Sequence, residues 1–330
     1  MKLKVALVYN QPEADRYHAM GESAAELGVL DEVRAVSHAI SELKYECQNV
    51  ALRPPISSAR ETLSRIRADV VFNLFEGFAG SPETEAEIAS LLADLKLPFT
   101  GCPPQALGLA LDKARTKQIL KTAGIPTPDF QVLDPSSLTN FRLDFPCIVK
   151  PVADDASHGL SEESVVHDLG SLERQIDRIC RLFGGQALVE EFIDGREFNT
   201  TVIGRGRLII PAISEIVYTL PPEKPRLLTF ESKWQEDSLY FKNTRNVCPA
   251  SINELEHARI SRIAKSAFRL TGCRGYARVD FRQNRTGQFM VLEVNPNPDI
   301  SPGSGASLQI AAAGLSYTRF IEKVIRIALN

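Results

Sequence analysis

Two segments near the C-terminus constrain this chain more than any other feature. Gly275-Tyr-Ala-Arg-Val-Asp-Phe281 and Gln288-Phe-Met-Val-Leu-Glu-Val-Asn295 alternate apolar and polar residues with the period of two expected of half-buried strands. Asn284-Arg-Thr-Gly287 between them reads as a hairpin turn. Strict alternation predicts Ala277, Val279 and Phe281 on one face, and Met290, Leu292 and Val294 as the apolar face of the second strand. Paired, the strands would display Arg278, Asp280, Glu293 and Asn295 together on the other face. Three oxygen-bearing side chains there suit a hard divalent cation, and Mg²⁺ favours carboxylates plus substrate phosphates. Alternation alone fits a solvent-facing sheet with ordinary ion pairs to Arg278 better.

The remaining sequence supplies the frame. A length of 330 residues implies two domains, or three small ones. With 38 basic and 41 acidic residues the net charge is -3, which excludes a generally basic nucleic-acid binder. Six cysteines form no C-x-x-C pair and read as reduced, mostly packed thiols. No stretch approaches a membrane span, and the apolar run after Met1 is too short for a signal peptide, so a cytoplasmic protein is expected.

The first third alternates strands (Leu3–Tyr9, Asn49–Leu52, Val70–Leu74, Leu97–Thr100) with helices (Glu32–Cys47, Ser58–Arg67, Glu85–Leu95), predicting a doubly wound parallel sheet. Asn10-Gln-Pro-Glu follows the first strand, not G-x-G-x-x-G, so a dinucleotide site is not supported. The middle block, with strands at Phe130–Leu133, Cys147–Val152 and Ala187–Glu191 and a helix at Leu172–Leu182, reads as α+β. Further strands are expected at Glu197–Ile203 and Arg207–Val217, helices at Asn253–Leu270, Ser307–Ala313 and Tyr317–Ile327, and a long loop at Thr219–Lys242.

Several short stretches occur in a telling order: Pro98-Phe-Thr-Gly101, Leu111-Asp-Lys-Ala-Arg-Thr-Lys117, Ile148-Val-Lys-Pro151, Val189-Glu-Glu-Phe-Ile-Asp-Gly-Arg-Glu-Phe198, Ala277-Arg-Val-Asp280 and Leu292-Glu-Val-Asn295. Together they resemble the ATP-grasp ligases, and within them the D-alanine–D-alanine ligases, over nearly the whole chain. The resemblance implies an N-terminal doubly wound parallel-sheet domain (1–107) and two α+β domains (108–190 and 191–330) that sandwich ATP. It implies that Lys113, Lys150 and Lys233 reach the phosphates and that Ser157, in a closing loop at Ala153–Gly159, adds a hydroxyl. Glu190, Phe192 and Ile193 would hold adenine and Glu197 the ribose. Asp280, Glu293 and Asn295 would bind one or two Mg²⁺ ions, and Arg278 would stabilise charge developing during transfer. Related ligases also make a homodimer an expectation.

The substrate side departs from the family pattern. Tyr9-Asn-Gln-Pro replaces a Gly-Gly-x-Ser-x-Glu loop, leaving Glu32 as a candidate for binding an amino group. Asn73-Leu-Phe-Glu-Gly77 replaces a His-Gly loop and makes Glu76 a candidate contact. In Asn295-Pro-Asn-Pro-Asp-Ile-Ser-Pro-Gly-Ser-Gly305, Ser304 and Gly305 fall near the positions that hold the second substrate's carboxylate, or simply cap a helix. The resemblance therefore implies an ATP-dependent carboxylate–amine ligase joining small amino-acid-like substrates through an acyl phosphate. A nucleotide-binding regulatory protein that has lost activity, or a phosphotransferase acting on another acceptor, stands as the alternative.

Overall fold

The computed structural model of the chain describes residues 2–12, 24–78, 81–153 and 158–330. Strands β1 (Lys4–Asn10), β2 (Glu46–Leu52) and β3 (Val70–Leu74) form a parallel sheet in the order β2-β1-β3. Val5, Ala6, Leu7 and Val8 are all buried, since this sheet is covered on both faces. Helix Ala24–Glu42 and the last helix, Tyr317–Leu329, cover one face, with Val36, Ile40, Phe320 and Val324 against Leu7 and Phe72. Helices Ile56–Ser64 and Thr84–Asp94 cover the other through Leu63, Ile88 and Leu92.

Two boundaries differ from expectation. The first helix begins at Ala24 and ends at Glu42, because Lys44 takes a positive φ of 60° and turns the chain, so Cys47 lies in β2. The strand expected at Leu97–Thr100 contracts to one parallel bridge between Phe99 and Val71. Pro98 has no N–H to extend that ladder.

Strands β4 (Phe130–Leu133), β5 (Cys147–Pro151), β6 (Val165–Val166) and β7 (Ala187–Glu191) form an antiparallel sheet in the order β4-β7-β5-β6. Helix Leu169–Phe183, N-capped by Asp168, lays Leu172, Ile176 and Ile179 on it at i, i+4, i+7 spacing. The third sheet contains β8 (Glu197–Arg205), β9 (Arg207–Ile209), β10 (Ser214–Tyr218), β11 (Thr244–Val247), β12 (Gly275–Gln283) and β13 (Phe289–Pro296). Its order is β11-β10-β8-β12-β13, with β9 on β8.

The single strand expected at Arg207–Val217 is split into β9 and β10 around Pro211, which cannot donate to a ladder. The expected loop at Thr219–Lys242 holds two short helices, Phe230–Trp234 and Leu239–Lys242, capped by Thr229 and Ser238. Helix Glu254–Leu270 packs Ile260, Ala264 and Phe268 in the core that Ala277, Val279 and Phe281 share. The other face of β12 and β13 looks into a cleft of about 490 Å³ that Ile148, Lys150 and Glu190 of the four-stranded sheet also line. Among the described residues, no helix is long and apolar enough to cross a membrane.

Candidate active site

The cleft floor is set by an irregularity in the β12–β13 ladder. Arg278 pairs with Asn295, Val279 with Val294 and Asp280 with Glu293, but Phe281 then pairs with Val291. Leu292 is the extra residue of a β-bulge, and a bulge re-aims the side chains beyond it. Val291, not Leu292, is therefore buried with Phe281 and Val294, while Leu292 lines the cleft and Met290 is only partly buried. Strict alternation placed Leu292 and Met290 on the wrong face.

The bulge leaves Arg278, Asp280, Glu293 and Asn295 together. The Arg278 guanidinium donates to both oxygens of Asp280, at 2.7 and 2.9 Å. Asn295 Nδ2 donates to Asp280 Oδ2 at 3.0 Å and to Glu293 Oε1 at 3.2 Å. Burial pushes the Asp280 carboxyl up, against Arg278, and the neighbouring Glu293 charge pushes it further. Burial works the same way on Glu293, but Lys113, Lys150 and Arg278 outweigh it and hold that carboxyl low. Lys233, on helix Phe230–Trp234, has its pKa lowered by burial and by Arg278.

On the opposite wall, Glu190 is wholly buried between two lysines. Lys117 Nζ lies 2.7 Å from Oε1 and Lys150 Nζ 2.5 Å from Oε2. The registers place Glu190 opposite Ile148 on β5, so Lys150, two residues along, shares its face. Burial opposes ionisation of Glu190, and the two lysines reverse that and lower its pKa. Lys117 also donates to Thr127 Oγ1 at 3.0 Å, and Thr127 in turn donates to the Val291 carbonyl at 2.8 Å. This chain of bonds ties the lysine to the bulge. The sequence reading passed over Lys117, whose only signal was its place in Leu111–Lys117.

At the far end, Arg282 is 3% exposed and donates to Glu197 through Nε at 3.0 Å and Nη2 at 2.5 Å. Its Nη1 donates to the Ile193 carbonyl at 2.7 Å, and its guanidinium lies 5.2 Å from the centre of the Phe192 ring. Tyr218 donates to Glu197 at 2.7 Å. Glu197, Phe192 and Ile193 are thus joined by an arginine that the sequence reading did not single out, although its place two residues after Asp280 puts it on the same face.

The substrate-side candidates divide. Glu32 is 3% exposed, and its Oε1 accepts the Ile300 N–H at 2.6 Å. Glu76 lines the same cleft, with its N–H bonded to Asn10 Oδ1 at 3.0 Å. Ser304 and Gly305 do not line it. Ser304 caps helix Gly305–Ala312, while Asp299 and Ser301 reach the cleft instead. The cause lies upstream, where Asn297, at φ 50°, turns towards Gly101 and accepts the Cys102 N–H at 2.7 Å. Gly101, at φ 86°, has no room for a side chain: a Cβ there would meet Asn297 Oδ1 at 2.3 Å. Ser157 lies outside the described residues.

Two antiparallel sheets facing across a cleft, lysines on one wall and Arg-x-Asp with Glu-x-Asn on the other, define an ATP-grasp fold. The model for the C-terminus of D-ala D-ala ligase matches residues 119–326. An uncharacterized protein, y4sG, of Sinorhizobium fredii is 34% identical over 78% of this chain and 74% of its own length. A D-alanine--D-alanine ligase of Gluconobacter oxydans is 32% identical over 89% of this chain and 92% of that protein. The crystal structure of a D-alanine--D-alanine ligase from Bacillus anthracis complexed with ATP superposes with a TM-score of 0.72 at 19% identity, covering 100% of this chain and 97% of that one. The chain belongs to the D-alanine–D-alanine ligase family.

Proposed function

We propose that the protein is an ATP- and Mg²⁺-dependent ligase that joins the carboxylate of one small amino-acid-like substrate to the amine of another. The observation that carries this is the convergence of Arg278, Asp280, Glu293 and Asn295 on a wall of the cleft that Lys113, Lys150 and Lys233 also line. The donor set of two carboxylates and an amide is all oxygen, which fits Mg²⁺ shared with phosphates. Asp280, Glu293 and Asn295 would hold the ion, which would neutralise the phosphates and the repulsion between the two carboxylates.

ATP would lie with its base among Ile148, Phe192, Leu227 and Leu292, and its ribose at Glu197. A bound ATP would supply the phosphoryl group: a substrate carboxylate oxygen would bond to the γ-phosphorus as its bond to ADP breaks, and the neutral amine of the second substrate would then bond to the carbonyl carbon as inorganic phosphate departs, with one proton lost to solvent. The protein's own contribution is charge and position. Arg278 is fixed by its two bonds to Asp280, and its remaining N–H groups would meet the developing charge without reorganisation. Lys150 is similarly fixed by Glu190.

The test is Mg²⁺-dependent ADP release with paired D- and L-amino acids, followed by mass spectrometry of the product. ADP release with a condensation product supports the reading. A stable phosphorylated product without condensation, or ATP binding with no turnover on any pair, overturns it.

A further inference from the structure

Helix Glu254–Leu270 covers the side of the large sheet that faces away from the cleft, and its Ile260, Ala264, Ala267 and Phe268 are buried there. The outer side of the helix carries Arg259, Arg262, Lys265 and Arg269, with Leu255 and Leu270 at its two ends. These six residues fall within about 140° of the helix circumference. Leu255 is 60% exposed and Leu270 41%. The four cations span about 15 Å along the helix axis. None of them takes part in a hydrogen bond or ion pair among the described residues.

Helix electrostatics accounts for only part of this pattern. Arg269 suits the negative end of the helix dipole, and Glu254 and Glu256 suit the positive end. Arg259, Arg262 and Lys265 lie between the ends, where the dipole does not favour them. Along the four cations the steps are three or four residues, the spacing at which like charges destabilise a helix. Glu256 stands three residues before Arg259, but its carboxylate accepts the Asn253 N–H at 3.0 Å instead. Helix Lys113–Thr122, packed beside this one, has no acidic residue, and the chain has none between Glu256 and Asp280. The face is therefore a cationic stripe on a chain whose net charge is -3. Such an uneven field orients a protein against an anionic partner.

We propose that this face docks on an anionic lipid bilayer, with the four cations among headgroup phosphates and Leu255 and Leu270 at the boundary with the acyl chains. The two leucines favour lipid over nucleic acid, because an exposed apolar side chain gains nothing against a sugar–phosphate backbone. The helix's one Phe, Phe268, is 2% exposed, so the face offers no aromatic ring to an unpaired base. A second copy related by a two-fold axis would bring the same cations against one another. A bilayer on this face leaves the cleft open, since the cleft lies beyond the other side of the sheet. The docking does not depend on the ligase reading above.

The experiment is flotation of the full chain with vesicles of phosphatidylcholine alone, and of phosphatidylcholine mixed equally with phosphatidylglycerol. The chain should float with the mixed vesicles only, and added salt should weaken the binding. Arg259→Gln and Arg262→Gln, which change exposed side chains, should each weaken it about fivefold. Leu255→Ser should weaken the binding that persists in high salt. Circular dichroism of each variant checks that the fold is kept. Equal binding to both vesicles, binding to neither, or binding to the mixed vesicles that all three substitutions leave unchanged overturns the proposal. Salt-sensitive binding of a DNA duplex that Arg262→Gln weakens, with both vesicles ignored, also overturns it and assigns the face to nucleic acid. ADP release tests the ligase reading separately and should be unaltered in these variants.

Discussion

Lys117 Nζ and Glu190 Oε1 meet at 2.7 Å with their side chains only 2% and 0% exposed. Neither ion can be hydrated there, so each depends on the other for its charge; Lys150 adds to the support of Glu190 and works against Lys117. Removing one partner of such a pair leaves a buried charge uncompensated, at a cost of about 3–5 kcal/mol. Lys117→Met should destabilise the protein by about 3 kcal/mol, the low end of that range, because Lys150 remains. Urea unfolding measures it. A loss well below about 1 kcal/mol, the usual worth of an exposed pair, would mean that Lys150 alone suffices.

Glu293→Gln should lower both activity and stability. Glu293 and Asp280 repel across β12 and β13, but Lys113, Lys150 and Arg278 outweigh that repulsion and favour the Glu293 carboxylate. ADP release should fall by at least about 100-fold, the scale of losing a group that positions a metal. The thermal midpoint at neutral pH should fall, because an amide gives up the stabilisation that Lys113, Lys150 and Arg278 confer on the Glu293 carboxylate. Retained turnover would remove Glu293 from the metal set.

Gly101→Ala tests the tie between the first sheet and the 295–304 loop. The new methyl group would occupy the space of Asn297 Oδ1, on a backbone that disfavours any Cβ. We expect a loss of about 2–3 kcal/mol. Asn297→Ala in the same chain should recover part of it, and a double-mutant cycle reads the coupling. Additive effects would show that the two positions act separately.

Glu32 gives the unliganded protein a pH dependence of known sign. Its folded pKa is raised, so as pH increases the unfolded chain loses this proton first. The stability present below the unfolded value is then lost as pH climbs from about 4.5 through the raised folded value. Glu32→Gln should flatten that part of the stability profile and stabilise the protein at neutral pH. Chemical denaturation from pH 4.5 to 8 checks it; an unchanged slope would mean that Glu32 ionises freely in the fold.

Much of this site was legible because its chemistry sits on regular strands. Period-two alternation put Arg278, Asp280, Glu293 and Asn295 on one face, and the structure keeps them there. It failed at Leu292, because a bulge adds a residue without changing composition. Lys117 was hidden for another reason: its helix, Lys-Ala-Arg-Thr-Lys-Gln, is basic enough to read as solvated, and its partner lies far along the chain. Helices Phe230–Trp234 and Leu239–Lys242 are too short for any periodicity, and only their caps, Thr229 and Ser238, mark them. Ser304 carried two readings, because a helix cap and an anion-binding hydroxyl use the same residue type, and the structure shows the cap.

The last helix, Tyr317–Leu329, shares a core with Val5, Leu7 and Phe72 of the first sheet. This has a consequence for the order of events at the ribosome. The strands of that sheet leave the exit tunnel well before Tyr317–Leu329, which helps to dry one of their faces. These strands must wait, with that face partly uncovered, until residues 317–329 have been synthesised. Slowing translation in the middle of the message should therefore lengthen the interval of aggregation risk, and truncation before Tyr317 should leave the first sheet incomplete rather than merely shorten the protein.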